Sequence, residues 1–230
     1  RNKTPFYLYS SNQIKKNYTD FYKTFKKVNP LICFAAKANG NLNILKTLGK
    51  LGSGADVVSG GELLKALKAG IKNNKIVFSG VGKTEDELKI AINKKILLIN
   101  IESESEAILI NKIAKRAKRK VSVGFRLNPN IAGTHKKIST GKAENKFGIS
   151  IRDFKKIYKN IKKLKFLKIY ALTLQIGSQI LSDIPYKKTL IVLSKLIYDL
   201  SLNLKFVDLG GGFGISYKQY DKSIRLKNYA

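Results

Sequence analysis

A short apolar segment followed by a helix signal recurs at nearly constant spacing, and this repeat constrains the fold more than any other feature of the sequence. The first four segments begin at residues 31, 54, 75 and 96, so successive starts lie 23, 21 and 21 residues apart. Each segment is rich in Val, Ile or Leu without strict alternation, as in parallel strands that are buried on both faces. The seven predicted strands are LICFAAK (31–37), GADVVS (54–59), KIVFSG (75–80), ILLINIES (96–103), VSVGFRLN (121–128), LKIYALTLQI (167–176) and KFVDLG (205–210).

Three of these segments lead directly into a sequence that marks the start of a helix. Ser59, Thr84 and Ser103 each stand three residues before a glutamate, which is the pattern of a capping box. Strands and helices therefore alternate, and right-handed crossovers of this kind build a doubly wound sheet or a (β/α)8 barrel. Because the repeat is regular and shows no obvious switch point, the predicted fold class is α/β, a (β/α)8 TIM barrel.

Seven strands are one fewer than a closed barrel needs, and an open barrel leaves two parallel edges unpaired. The sequence also contains no methionine. We therefore expect an incomplete barrel that belongs to a longer protein. FYLYS (6–10) predicts one further strand that pairs with something outside the barrel. The predicted domains are residues 1–12, with this N-terminal strand, and residues 13–230, the truncated barrel.

The large excess of positive charge raises the question of whether the protein binds nucleic acid. The net charge is +30, which makes a basic nucleic-acid-binding module one alternative. However, only six of the 45 basic residues are arginine, and the lysines are spread along most of the chain. We therefore predict no nucleic-acid partner. No apolar run approaches the roughly 20 residues that span a membrane, so no membrane partner is predicted either.

Cysteine and histidine usage excludes several chemistries. Cys33 is the only cysteine, which excludes an internal disulfide and fits a reducing compartment, so a cytoplasmic location is predicted. His135 is the only histidine, and it lies in a long connection (133–150) that we expect to overhang the active-site mouth, although a surface histidine is the alternative. A metal site or a Ser-His-Asp triad has almost no support.

The candidate chemistry lies at the C-terminal ends of the strands, where barrel active sites form. Lys37 ends the first predicted strand; if it is desolvated among apolar neighbours it becomes a nucleophile, and a snorkelling lysine is the alternative. The run 210–212, Gly-Gly-Gly after the last strand, suits a phosphate held by backbone amides, and a tight turn is the alternative. Ser178, at the neighbouring strand end, could add a hydroxyl that binds the same phosphate. A lysine and a phosphate-binding turn across one mouth suit pyridoxal phosphate.

Five motifs together resemble the diaminopimelate decarboxylases, which are alanine-racemase-like, fold-type III pyridoxal-phosphate enzymes. They are FAAKANGN (34–41), GADVVSGGEL (54–63), HKKISTGKAENKFGI (135–149), QIGSQI (175–180) and DLGGGFGI (208–215). The resemblance runs from about residue 4 to residue 217. The pattern HxxISTGxxxxKFG is its most specific part, because it separates these enzymes from many ornithine and arginine decarboxylases.

The resemblance implies a barrel followed by a C-terminal β domain that would pair with residues 6–10, a homodimer, and pyridoxal 5'-phosphate as cofactor. It implies decarboxylation of an amino-acid substrate, meso-2,6-diaminopimelate, to L-lysine. Lys37 would form the Schiff base. The residues implied for the cofactor are Lys37, Asp56, Arg126, Gln175, Ser178, Gly210, Gly211 and Gly212, and those implied for the substrate or the covering loop are His135, Ser139, Thr140 and Lys146.

Two departures from the family pattern keep alternatives open. Gln175 occupies a position where the family has a histidine that stacks on the cofactor ring, and an amide has neither the aromatic face nor the titratable nitrogen. The family's C-terminal motifs are absent from the sequence, so we expect the chain alone not to be a competent enzyme. The alternatives are an ornithine, arginine or carboxynorspermidine decarboxylase, a racemase of the same fold type, or an inactive pyridoxal-phosphate-binding relative.

Overall fold

The computed structural model describes residues 3–131, 147–217 and 226–229, and its centre is a parallel β-sheet. All seven predicted strands are present, although most are shorter than predicted. A two-residue strand that the sequence did not indicate, β6, pairs with β5. The strands are β1 (Cys33–Ala35), β2 (Gly54–Val57), β3 (Ile76–Phe78), β4 (Leu98–Ile101), β5 (Val121–Asn128), β6 (Ile149–Ser150), β7 (Leu167–Leu174) and β8 (Phe206–Asp208).

The strand order follows the chain. Along the sheet it is β1-β2-β3-β4-β5-β7-β8, with every pairing parallel. A doubly wound sheet would reverse its order at a switch point, and this sheet does not. The prediction of an incomplete TIM barrel with about seven main strands is therefore confirmed. Within the described residues, β1 and β8 are the two edges.

The helices cover the outer face of the sheet. Their apolar residues recur at helical spacing, so that Leu63 and Ala66, or Leu88 and Ala91, have no exposed surface. Burying one such leucine contributes about 2 kcal/mol. The helices are α1 (Ser11–Phe25), α2 (Leu42–Lys50), α3 (Gly60–Lys68), α4 (Glu85–Asn93), α5 (Glu104–Arg116), α6 (Ile151–Ile161) and α7 (Ile184–Asp199). Across the described ranges, none of the helices combines the length and apolarity that crossing a bilayer requires.

The predicted helix caps form, although only one capping box is complete. The side chains of Ser59, Thr84 and Ser103 accept backbone N–H groups at 3.2, 3.3 and 3.1 Å, respectively. Only the box at Thr84 also has the reciprocal bond. Glu62 and Glu106 instead accept the N–H of the residue that precedes the cap. These bonds hold the short loops between strands and helices, where the site residues lie.

The N-terminal segment differs from the prediction. Residues 6–10 form no strand, and Tyr7 and Leu8 are each 88% exposed. A strand requires a neighbour for its hydrogen bonds, and in the described part of the chain none pairs with this segment. The strand prediction is therefore wrong for this structure. Pairing with a β domain outside this sequence, and the domain division at residues 12 and 13, stay predictions.

Candidate active site

The inner face of the sheet changes from apolar to polar along the strands. Near the strand starts it carries an apolar layer of Val77, Leu98 and Ala171, with Cys33 and Phe206 packed against them. Because side chains two positions apart share a face of a strand, the next layer toward the C-terminal ends is set by the residues two positions further on. That polar layer consists of Asp56, Ser79, Asn100, Thr173 and Asp208.

A chain of hydrogen bonds fixes Asp56 in the polar layer. Asn100 Nδ2 donates to Ser79 Oγ at 3.0 Å, and Ser79 Oγ donates to Asp56 Oδ1 at 2.6 Å. Burial raises the pKa of Asp56 to about 6, and the Ser79 hydrogen bond lowers it only in part. The negative charge of Asp208, across the inner face, raises the same pKa further.

The cations of the site converge on the same carboxylate. Lys37 follows β1, and Arg126 lies in β5, three strands beyond β2 in the sheet. Both side chains lower the pKa of Asp56 through their charges. Arg126 also lowers the pKa of Asp208, which burial raises. The structure therefore brings together three residues that the sequence had named for the cofactor, Lys37, Asp56 and Arg126. It adds Asp208 as a second half-buried carboxylate.

Lys37 lies at the rim of the sheet. β1 ends at Ala35, and Lys37 stands in the 3-10 turn that follows it. Desolvation among apolar neighbours, the condition under which Lys37 would become a nucleophile, is not met among the described residues, because its side chain is exposed. The physical reason is its position directly after β1, an edge strand that pairs only with β2 among the described residues. A second exposed lysine, Lys65, reaches the same loop, since a Cβ added at Gly40 would lie 3.7 Å from its Nζ.

Arg126 is held by a partner that the sequence analysis missed. Its guanidinium donates to Glu102 Oε1 at 2.9 Å, and the two side chains are only 12% and 4% exposed. Glu102 Oε2 accepts the N–H of Gly148 at 3.1 Å, and the guanidinium lies over the Phe147 ring. Arg126 is thus fixed at the end of β5. Glu102 is the last residue but one of the predicted strand 96–103, and a carboxylate near that strand end was a signal that could have identified it.

The glycine run adopts a turn that other residues could not form. Gly210 and Gly212 have φ of 68° and 83°, in the region that favours glycine. A Cβ at Gly212 would stand 2.1 Å from the carbonyl oxygen of Gly177, whereas one at Gly211 would meet nothing within 4 Å. The turn therefore packs tightly against the end of β7 on one side and is open on the other.

Neighbouring side chains bind two N–H groups of this turn. Asp208 Oδ1 accepts the N–H of Gly210 at 2.8 Å, and Thr173 Oγ1 donates to the other carboxylate oxygen. Gln175 Oε1 accepts the N–H of Gly211 at 2.9 Å. A phosphate can therefore use the N–H of Gly212 without displacing either bond.

Gln175 connects the two turns that follow β7 and β8. Its Nε2 donates to the carbonyl oxygen of Gly177 at 2.7 Å, while its Oε1 accepts from Gly211. The carboxamide is thus hydrogen-bonded to backbone at both ends. Ser178, next to Gly177, is exposed beside the same turns.

The residues present fit pyridoxal phosphate on two structural grounds. The glycine turn is a backbone cradle that a Cβ would fill, and its open side lies at Gly211. The charge of Asp208, in β8, raises the pKa of Asp56, in β2, so the two carboxyl groups are near enough to interact. A lysine amine and a phosphate-binding turn are therefore available to one ligand. The predicted loop residues His135, Ser139, Thr140 and Lys146 lie outside the described residues.

No cluster of three or more potential metal-binding side chains occurs in residues 3–131, 147–217 and 226–229.

The comparison with protein families covers nearly the whole chain. Residues 11–230 match the model of the pyridoxal-dependent decarboxylase, pyridoxal binding domain. Among curated proteins, the chain is 44% identical over 223 residues to the diaminopimelate decarboxylase of Aquifex aeolicus, a match that covers 95% of this chain and 53% of that protein. It is 43% identical over 231 residues to the diaminopimelate decarboxylase of Campylobacter jejuni, covering 99% of this chain and 58% of that protein.

Solved structures agree with these relatives. The crystal structure of diaminopimelate decarboxylase from Helicobacter pylori complexed with L-lysine superposes with a TM-score of 0.92 at 42% identity, and the match covers 99% of this chain and 59% of that one. The chain thus spans somewhat more than half the length of the relatives it matches. The predicted resemblance and the prediction of a pyridoxal-binding fold are confirmed. The chain belongs to the pyridoxal-dependent decarboxylase family, whose pyridoxal binding domain it contains.

Proposed function

We propose that this chain is the cofactor-binding part of a diaminopimelate decarboxylase, a pyridoxal-phosphate-dependent enzyme that converts meso-2,6-diaminopimelate to L-lysine and carbon dioxide. The observation that carries the proposal is that Lys37 and Arg126 both act through their charges on the half-buried Asp56. Support also comes from relatives of that name at 41–44% identity, one of which was solved with L-lysine. A homodimer and a cytoplasmic location belong to the same proposal.

Each part of the site has a defined role in this proposal. Lys37 supplies the amine that joins the cofactor aldehyde, and Asp56 holds negative charge beside it. Arg126, fixed by Glu102, keeps a second positive charge in the mouth. The glycine turn and Ser178 bind the phosphate. When bound, pyridoxal phosphate supplies an electron sink for the carbanion that remains after carbon dioxide leaves.

A second candidate is a relative that binds pyridoxal phosphate without turnover. Gln175 favours it, because both ends of its carboxamide are hydrogen-bonded to backbone and the side chain has no titratable nitrogen. The two candidates share the cofactor site and differ only in whether substrate is consumed.

The test is release of carbon dioxide by the complete gene product, supplied with pyridoxal phosphate and either meso-diaminopimelate or ornithine. We expect release from meso-diaminopimelate alone, its loss in Lys37→Ala, and its retention in Lys65→Ala. Lys65 is the matched control because its exposed amine reaches the same loop. Release from ornithine alone would contradict the proposed substrate, and cofactor binding without release from either compound would favour the second candidate.

A further inference from the structure

A buried tyrosine donates a hydrogen bond to the glycine turn. Tyr186, in the first turn of α7, is 4% exposed, and its Oη donates to the carbonyl oxygen of Gly211 at 2.5 Å. The roles proposed above make no use of this residue. A phenol hydrogen-bonded to the backbone of a ligand-binding turn controls the direction in which that backbone points.

An aromatic cluster fixes the position of the phenol. The Tyr186 ring stacks on Phe213 at 5.3 Å with an interplanar angle of 10°, and Tyr229 meets it edge-on at 5.0 Å. Burial raises the pKa of the Tyr186 hydroxyl, so it stays protonated and acts as the donor at neutral pH. The cluster therefore holds a hydrogen-bond donor directly behind Gly211.

Two side chains form hydrogen bonds with the backbone of Gly211, one at its N–H and one at its carbonyl oxygen. Its N–H is bound by Gln175, and its carbonyl is bound by Tyr186. In a trans peptide, the C=O of one residue and the N–H of the next point in opposite directions. The N–H of Gly212 therefore points away from the buried phenol. Within the described residues, this N–H has no hydrogen-bond acceptor.

We propose that Tyr186 is a positioning residue for the cofactor phosphate: its hydroxyl turns the Gly211 carbonyl away from the anion and thereby directs the Gly212 N–H toward it. The inference rests on the proposed function, because the anion is the phosphate of pyridoxal phosphate. Without this hydrogen bond, the Gly211–Gly212 peptide has little to prevent its rotation, since glycine populates both signs of φ. A rotated peptide would present a carbonyl oxygen, which repels an anion.

The test compares two ligands that differ only in the phosphate. In the complete gene product, the dissociation constants of pyridoxal 5'-phosphate and of pyridoxal are measured for the wild type, for Tyr186→Phe and for Tyr229→Phe. Phenylalanine keeps the ring that packs in the cluster, and Tyr229 is the matched control because it shares the cluster without contacting Gly211. We expect Tyr186→Phe to weaken pyridoxal 5'-phosphate about tenfold, the scale of one hydrogen bond to a charged group. Pyridoxal binding should not change.

The outcomes separate this inference from the proposed function. If the wild type binds neither ligand, the proposed function fails. If the wild type binds both, then an equal loss of affinity for both ligands in Tyr186→Phe, or no loss of affinity for either, overturns the positioning role.

A nuclear magnetic resonance measurement on the unaltered protein checks the same point: pyridoxal 5'-phosphate should shift the backbone amide resonance of Gly212, and pyridoxal should not. An unchanged Gly212 resonance in the bound protein contradicts the inference.

Discussion

Replacing Asp56 by asparagine should make the protein more stable at neutral pH. Asp56 is half-buried, and desolvation of its carboxylate raises its pKa from 3.8 to about 6, despite the hydrogen bond from Ser79 and the charges of Lys37 and Arg126. The folded protein therefore holds this carboxylate in its charged form at a cost. Asparagine has the same shape, and its side-chain oxygen can still accept the Ser79 hydroxyl, so the substitution removes the charge with little change in packing.

The size of the effect follows from the pKa. A rise from 3.8 to about 6 corresponds to roughly 3 kcal/mol, at about 1.36 kcal/mol for each pH unit. Because the folded-state pKa lies above the unfolded one, the folded state binds the proton more tightly. The contribution of Asp56 to stability is therefore complete below pH 3.8, is lost as the pH rises through about 6, and is constant above that.

The assay is urea unfolding followed by far-ultraviolet circular dichroism, with the variant and the wild type compared at several pH values. We expect Asp56→Asn to be more stable by about 2–3 kcal/mol at about pH 8, with the difference vanishing at about pH 4. Asp20→Asn removes the same charge from an exposed pair with Lys16, and should change stability by less than about 1 kcal/mol at either pH. A difference for Asp56→Asn that does not depend on pH would refute the reasoning.

Three further substitutions test other parts of the structure. Gly212→Ala should lower affinity for pyridoxal phosphate at least tenfold in a fluorescence titration, because its Cβ would meet the Gly177 carbonyl oxygen; unchanged affinity would contradict the turn geometry. Glu102→Gln should lower the free energy of unfolding by about 3 kcal/mol, since it leaves the Arg126 charge buried without its partner, and a loss below about 1 kcal/mol would contradict that. Thr84→Ala should cost about 1 kcal/mol through the lost cap, which the same denaturation measures, whereas a neutral result would mean that the cap contributes nothing.

Much of the fold follows from local sequence signals. Apolar segments at regular spacing, each followed by a capping residue, determine a parallel sheet whose strand order follows the chain. The two-residue strand β6 gives no such signal, because a segment that short has no periodicity. The segment 6–10 has the composition of a strand, yet strand formation depends on a neighbour, which local sequence does not specify.

The parts of the candidate site that follow from alternation along a strand could be predicted from the sequence, whereas contacts between distant residues could not. Alternation along a strand places Ser79 two positions after Val77, and Asn100 two positions after Leu98, so the polar layer could have been identified from the sequence. Gln175 was identified as a departure from a motif, but its bond to Gly211 joins residues 36 positions apart. Local sequence contains no signal for a contact at that distance.

Lys83 illustrates the same limit in a charged residue. Nothing in the local sequence distinguishes Lys83 from the many other lysines of the chain, yet it is only 8% exposed. Its ammonium donates to the carbonyl oxygens of Gly80 and Asn100 and to Glu106 Oε1, at 2.6, 2.7 and 2.7 Å. A lysine can be buried where three acceptors meet it, and that arrangement exists only once the loops have folded.

The central claim is that Lys37 is the residue that holds the cofactor. Its most direct test is borohydride reduction of the complete gene product in the presence of pyridoxal phosphate, followed by peptide mapping. We predict one stoichiometric label, on Lys37, that disappears in Lys37→Arg and persists in Lys65→Arg. Stoichiometric label on Lys65 or on any other lysine, with Lys37 unmodified, would contradict the account.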